Sequence, residues 1–327
     1  MGRPKAARKR KDGPPVRVPA PTPIEDTEGV DLEDDGDHLQ AMEAGDPDLG
    51  LGADTPGRRT KDERWYKTIE AQIERLPRSA GIDRRTMDEV FDRKTLMTLY
   101  KFISNGVIQQ LEYPVSTGKE ANVFTATTPE ETWICIKIFR TSNATFHDVL
   151  QYIQGDPRFQ GIKKEKRGLI AAWTQKEYRN LGRAIDVGVR VPEPIANFDN
   201  VLLMEFIGDE TGPAPRLKDV VVDDPERVAE EILDDYRSLF TKARLVHADL
   251  SEYNILWHQD KHVIIDVGQA VLLEHPMAEE FFERDVQNMS RFMTKMGAPR
   301  DVATVRRHVL GDAEHFGALL SRNRDNE

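Results

Sequence analysis

Cysteine is nearly absent from the chain: Cys135, in TWICIKIF, is the only one among 327 residues. A single thiol excludes an intramolecular disulfide and any cysteine-rich zinc site. Its apolar neighbours predict a buried, inert side chain. Long apolar runs are missing too. No stretch reaches the roughly 18 residues needed to cross a bilayer, and the N-terminus lacks the apolar core of about 7 to 15 residues that marks a secretory signal. These absences predict a cytoplasmic protein with no membrane partner. Positive charge is also in deficit. The formal net charge of -11 argues against a chain that coats nucleic acid, and no DNA partner is expected.

What is present is unevenly distributed. A hydrophobic content of 39% over this length allows a sizeable core in two lobes, plus tails. Residues 1–60 stand apart. MGRPKAARKRKDGPPVRVPAPTP is basic and Pro-rich, and the segment after it is acidic, with very few aromatic or large apolar residues. Neither can offset its ordering entropy by burial, so both are expected to be disordered. The basic block of Lys5, Arg8, Lys9, Arg10 and Lys11 could contact RNA or acidic protein, although a solvated tail is the simpler reading.

From about Lys61 the spacing turns helical in WYKTIEAQIERL and TLMTLYKFISNG, where Gly106 supplies a stop, so 61–107 reads as a helical extension. Three strand-like runs follow: VIQQLEYPV, ANVFTATT and TWICIKIFR. A long helix, LIAAWTQKEYRNLGRAIDVG, leads through VRVPEPIANF into a further strand, VLLMEFIG. Residues 108–208 thus predict a first lobe built on a small antiparallel sheet, ending in a hinge. Residues 209–327 are mainly helical, in PERVAEEILDDYRSLFTKA, MAEEFFERDVQNMSRFMTKMG and RDVATVRRHVL. The exception is a short β pair in NILWHQDKHVIID, turning at Gln259 and Asp260. No internal repeat is evident.

The chemistry concentrates in HADLSEYNIL and IIDVGQA. Asp249, Asn254 and Asp266 lie on a strand–loop–strand path, and all three offer hard oxygen ligands of the kind that suit Mg²⁺ with substrate phosphates. Gly268 would let the backbone turn after Asp266. Lys137 sits mid-strand among apolar residues, where its ammonium needs a counter-ion, and Glu177 on the next helix is a candidate partner. STGKEANVF could offer backbone N–H groups and the hydroxyls of Ser116 and Thr117 to phosphate around Gly118. It is not a Walker loop, because Tyr113 stands at the first Gly position and Glu120 follows the Lys. Each piece alone has a plainer reading: a turn or cap for Asp249 or Asn254, a snorkelling Lys137, a solvated Glu177. His247 reads as a structural ring bonded to the loop backbone. The order of the pieces along the chain is what favours a nucleotide site.

In that order, STGKEANVF, IKIFR, KEYRNL, HADLSEYNIL and IIDVGQAV, with HPMAEEFFERDVQNMSRF after them, resemble the RIO family of atypical serine/threonine kinases in its type-one branch. The resemblance covers about residues 62 to 325. The type-two branch would show Phe-Pro after the metal Asp and a winged helix near the N-terminus, neither of which is evident. The resemblance implies an α+β, two-lobed protein-kinase-like fold trimmed of the activation loop and peptide-docking helices. It also implies roles. Lys137 binds the α/β phosphates and pairs with Glu177; Ser116 and its loop cover the triphosphate; Glu205 and Ile207 of MEFIG receive adenine through their backbone. Asp249 is the proton acceptor, Asn254 and Asp266 hold Mg²⁺ (or Mn²⁺), and Asp266 accepts phosphate as an aspartyl intermediate. ATP is the co-substrate, and the implied partner is a small ribosomal subunit precursor, both protein and rRNA, during subunit maturation.

Departures from ordinary protein kinases matter. Ala248 replaces the Arg that reads a phosphorylated activation loop, and Ser251 replaces a Lys that stabilises the transferring phosphate. About 60 residues follow Asp266, with no APE segment among them. An ATPase switch therefore stands beside protein phosphorylation. Two other readings remain. Aminoglycoside- and choline-type small-molecule kinases share a His-x-Asp loop, but would carry a larger acidic pocket where GQAVLLEHP is short and apolar. A nucleotide-binding scaffold without turnover would not need Lys137, Asp249, Asn254 and Asp266 together.

Overall fold

Alternation of apolar residues along three consecutive runs builds the sheet that carries the site. The computed structural model describes Lys67, Ile69, Ala71, Ile73, residues 90–118, 120–141, 149–159 and 165–311, and Phe316. The expectations for the tail at 1–60 and for most of WYKTIEAQIERL lie outside the described residues. Among those that are described, no helix is long and apolar enough to cross a membrane.

Helix α1 (Arg93–Ser104) starts at Asp92, whose carboxylate accepts the Thr95 N–H at 2.7 Å, a side-chain N-cap. It stops before Gly106, which takes φ +70°. Strands β1 (Gln110–Thr117), β2 (Ala121–Thr127) and β3 (Trp133–Phe139) follow, then helix α2 (Lys166–Asp186) and strands β4 (Pro194–Phe198) and β5 (Val201–Glu205). The five strands form one antiparallel sheet in the order β1-β2-β3-β5-β4. Strand β4 sits in VRVPEPIANF, which the sequence suggests is only a connection. It is an edge strand entered at Pro194, where proline's missing N–H costs least.

Side chains alternate across this sheet. On one face Ile134, Ile136, Ile138, Phe124 and Leu203 join Leu96, Leu99 and Phe102 of α1 in a common core. On the other, the register aligns Ser116, Val123, Lys137 and Leu202 in one row across four strands. Phe139 and Leu202 of that face pack with Leu169, Ile170 and Trp173 of α2 in the larger core. Lys137 therefore projects toward α2 and not toward α1.

The second half of the chain is helical around short β pairs. After β6 (Gly208–Asp209) and β7 (Gly212–Pro213), helix α3 (Pro225–Thr241) begins with Pro at its first position, where no N–H is needed. The hairpin of β9 (Ile255–His258) and β10 (Lys261–Ile264) closes through Gln259 and Asp260, at φ +53° and +58°, the left-handed pair that tight hairpins favour. A second pair joins β8 (Leu245–Val246) to β11 (Val271–Leu272). Helices α4 (Ala278–Met296) and α5 (Val302–Leu310) complete the described core.

Candidate active site

The two β pairs bring two loops together. Residues 247–254 run from β8 to β9, and residues 265–270 return from β10 to β11. Each loop holds a non-glycine residue in left-handed backbone, Ala248 at φ +66° and Asp266 at φ +63°. Such residues cost on the order of 1 kcal/mol each and persist when their surroundings over-determine them. Here the surroundings are explicit. The fully buried Asp285 of α4 accepts the N–H of Ala248 at 2.8 Å and of Leu250 at 2.9 Å, with the Tyr236 hydroxyl donating at 3.1 Å. Burial pushes its carboxyl up to about 7, against the pull of those donors.

His247 ties the loops to each other. Its Nδ1 accepts the Asp249 N–H at 3.3 Å, which leaves Nε2 to donate to the Ile265 carbonyl at 3.2 Å. Burial lowers the imidazole to about 4 from 6.5, so the ring is neutral and structural. A depressed folded-state value means the neutral ring favours folding above pH 6.5, a contribution lost as pH falls toward 4. Relative to His247→Gln, which cannot titrate, the wild-type protein should lose about 3 kcal/mol of stability between pH 7 and pH 4. Denaturant unfolding of both at the two pH values measures this; parallel curves would contradict it.

Lys137 is where the lobes meet. Its Nζ donates to both oxygens of Glu177, at 2.7 and 2.8 Å, and to Asp266 Oδ1 at 2.8 Å. Burial opposes the ammonium, but the carboxylates of Asp266 and Glu177 outweigh it and hold the lysine above its ordinary range. Lys137 in turn holds Asp266 below the usual carboxylate range. Glu177 is nearly sealed, and burial raises it despite the lysine. One cation is thus shared by two carboxylates, one enclosed and one 45% exposed at its side chain.

Asp249 and Asn254 face each other in the first loop. The Asn254 amide donates to the Asp249 carbonyl and to its Oδ2, both at 2.9 Å. Burial and the nearby Asp266 raise the Asp249 carboxyl. With both N–H bonds committed, Asn254 has its Oδ1 left for a metal, and Asp266 has the oxygen that Lys137 does not hold. Two hard oxygens beside a fixed cation fit Mg²⁺ together with substrate phosphates.

Gly268 has a different purpose from the turn its sequence suggests, since its backbone is not left-handed. A Cβ there would stand 2.9 Å from Glu177 Oε2 and 3.5 Å from the Trp173 ring. Gly268→Ala should displace Glu177 from Lys137 and lower kcat/KM for ATP by about tenfold. Steady-state kinetics check this, and an unchanged value would show that Glu177 yields at no cost.

Three residues of this site are not apparent from sequence: Asp285, Lys176 and Asn180. Lys176, fully buried on α2, donates to the carbonyls of Gly268 at 2.7 Å and Ala270 at 2.6 Å. One turn on, the Asn180 amide donates to Val267 at 2.9 Å and Ala270 at 3.0 Å. Burial drives Lys176 well below its ordinary pKa. The available signal was the run of polar residues in KEYRN, within a helix that also buries Trp173 and Leu181.

The other sequence-derived candidates lie around this centre. Ser116 is exposed at the end of β1, in the Lys137 row, beside a hairpin closed by Gly118 N–H donating to Ala121 O at 2.8 Å. The side chain of Glu205 pairs with both terminal nitrogens of Arg190, at 2.7 and 2.6 Å. The Glu205 N–H donates to Glu193 O at 2.8 Å, and the Ile207 carbonyl accepts from Ala214 N–H at 2.9 Å. Cys135 is buried, which pushes its thiol up to about 12 and leaves it inert.

The RIO domain family matches residues 122–306, more than half of the chain, and spans Lys137, Glu177 and the loops 247–254 and 265–270. This chain belongs to the RIO family. Its type is that of Rio1, and its two-lobed kinase-like architecture agrees with membership among these atypical serine/threonine kinases. The RIO-type serine/threonine-protein kinase Rio1 of Haloferax volcanii is 43% identical over 228 residues, covering 70% of this RIO chain and 78% of that protein. The protein of the same name from Thermoplasma acidophilum is 42% identical over 177 residues, 54% of this chain and 93% of that one. The human serine/threonine-protein kinase RIO1 is 39% identical over 230 residues, 69% of this chain but only 40% of the human protein.

Proposed function

We propose that this RIO chain is an Mg²⁺-dependent serine/threonine protein kinase and ATPase that acts in small ribosomal subunit maturation in the cytoplasm. The observation that carries the catalytic part is the Lys137 ammonium held at 2.7 to 2.8 Å by Glu177 and Asp266, beside the Asn254-bound carboxylate of Asp249. In this reading Lys137 binds the α- and β-phosphates. The Glu205 carbonyl and Ile207 N–H take the adenine edge, since the Glu205 N–H and Ile207 carbonyl are spent within the protein. Ser116 and its hairpin cover the triphosphate. Asn254 Oδ1 and Asp266 hold Mg²⁺ (or Mn²⁺), which when bound neutralises phosphate charge.

Asp249 accepts the proton of a serine or threonine hydroxyl as the new oxygen–phosphorus bond forms. The bond from the γ-phosphorus to the bridging oxygen breaks, and ADP leaves. Burial and the nearby Asp266 raise the Asp249 carboxyl, which makes it a stronger base than an exposed carboxylate. With water as acceptor the same geometry hydrolyses ATP. In the aspartyl-phosphate route, the Asp266 oxygen that otherwise faces the metal would instead attack the γ-phosphorus, the bond from that phosphorus to the bridging oxygen would break, and ADP would leave. The ribosomal partner rests on the family resemblance and on the basic block at Lys5 to Lys11.

Purified protein with Mg²⁺ and γ-labelled ATP tests this. ADP release with label on serine, or on an acyl phosphate that hydroxylamine removes, is expected. Neither ADP nor labelled protein would overturn the reading and favour a nucleotide-binding scaffold. Co-sedimentation with small ribosomal subunits, with ATP or a non-hydrolysable analogue, tests the partner; free sedimentation in both cases would remove it.

A further inference from the structure

The catalytic loop lacks two cations that ordinary protein kinases carry, with Ala248 before Asp249 and Ser251 after it. A cation reaches the same place from another element. Arg284 precedes Asp285 on α4, so the two side chains leave the helix about 100° apart. Asp285 goes inward to the loop N–H groups, while Arg284 emerges at the rim and is exposed.

Its guanidinium is nevertheless fixed. Nη2 donates to the Ala248 carbonyl, the group lies 5.0 Å over the Phe281 ring, and it shares a hydrogen bond with the Tyr152 hydroxyl. Tyr152 is itself packed on Phe281 at 5.1 Å and on Trp173 at 5.8 Å. The Arg284 charge reaches Asp249, whose carboxyl it draws down in part. An arginine has five N–H donors in a rigid fork, and these contacts leave a face open to solvent. The exposed surface beside Asp249 therefore presents an oriented donor set, while Asp249, Asp266 and the nucleotide phosphates would otherwise make the same place strongly repulsive to anions.

We propose that Arg284 is an acceptor subsite: it binds a carboxylate or phosphate next to the acceptor hydroxyl, and so selects acidic or already phosphorylated segments. This rests on the kinase reading above. It assigns to α4 the electrostatic task that the loop itself gives up at positions 248 and 251, and directs it to the acceptor and not to the transferring phosphate.

The test uses the whole 327-residue chain with Mg²⁺, ATP and a peptide series containing one serine flanked by Glu, phosphoserine, Ala or Lys. The readout is the ratio of kcat/KM for acidic over neutral peptides in wild type, Arg284→Ala, Arg284→Lys and Arg284→Glu, with peptide-free ADP release measured alongside. A ratio within each variant cancels general loss of activity, which a purely structural clamp would also produce. Wild type should favour the acidic or phosphorylated peptides about fivefold. Lys should keep most of that preference, Ala should abolish it, and Glu should shift it to the Lys-flanked peptide. The Glu and phosphoserine arms separate a carboxylate from a phosphate as ligand. A wild type indifferent to flanking charge, or an undiminished preference in Arg284→Ala, overturns the subsite. ADP release without any peptide labelling also overturns it and leaves the ATPase reading standing, whereas absence of ADP release removes the kinase reading itself.

Discussion

Asp249→Asn and Asp266→Asn are each expected to lower ADP release and phosphoryl transfer by ~100-fold or more, while the protein remains folded. The two effects separate because of where the charges sit. The Asp249 carboxyl is raised by burial and by repulsion from Asp266, so an uncharged isostere relieves an unfavourable interaction. Its thermal midpoint should hold or rise, the pattern of a residue kept for activity at some expense of stability. Asp266→Asn leaves Lys137 with Glu177 still at hydrogen-bond distance, so the buried ammonium keeps a counter-ion. Initial rates and thermal midpoints on the same preparations check both substitutions. Near-wild-type turnover in either would take that carboxylate out of the chemistry.

Asp285→Ala should act in the opposite way, through the scaffold. Two backbone N–H groups, those of Ala248 and Leu250, would lose their acceptor inside a fully buried volume, together with the Tyr236 hydroxyl. Each orphaned donor costs about 1 to 3 kcal/mol, so a total loss of roughly 3 to 5 kcal/mol is expected. Ala248 would also be free to leave its left-handed backbone, and Asp249 would swing with it. Activity should therefore fall even in the fraction that stays folded. Asp285→Asn is a poor rescue, because its NH₂ group must face at least one of the same donors. Denaturant unfolding combined with kcat at a temperature where the variant is folded measures both parts. A variant as stable as wild type would show that water replaces the carboxylate.

The side chains of the proposed nucleotide site are the legible ones. Lys137 interrupts an apolar strand, and Asp249, Asn254 and Asp266 stand between apolar runs, so each is a polar residue that the packing pattern does not ask for. The structure brings Lys137, Glu177 and Asp266 into direct contact, and Asp249 with Asn254. Asp285, Lys176 and Asn180 were not legible for a physical reason. They lie on long helices in which a charged or amide residue ordinarily faces water, and only the docking of that helix face against 248–250 or 267–270 reveals their partners. The main sheet and helices follow from periodicity, whereas β4 is concealed by Pro192 before it and Pro194 at its start, and the β8–β11 pair by its length of two residues per strand. In sequence Gly268 reads as freedom of backbone, but it is required for the Cβ it lacks, a matter of neighbouring atoms that local sequence does not carry.

The strap of residues 265–270 between β10 and β11 has a thermodynamic consequence. Lys176 and Asn180 pin it by its carbonyls to the same turn of α2 that presents Glu177 to Lys137. On the proposed reading, the phosphate clamp and the metal ligand are parts of one rigid piece. Linkage then requires that any factor by which metal tightens nucleotide binding be returned in full as nucleotide tightens metal binding. A small molecule wedged behind α2 need not approach either site to weaken both, because drawing the helix outward would loosen the grip on the phosphates and on the ion together.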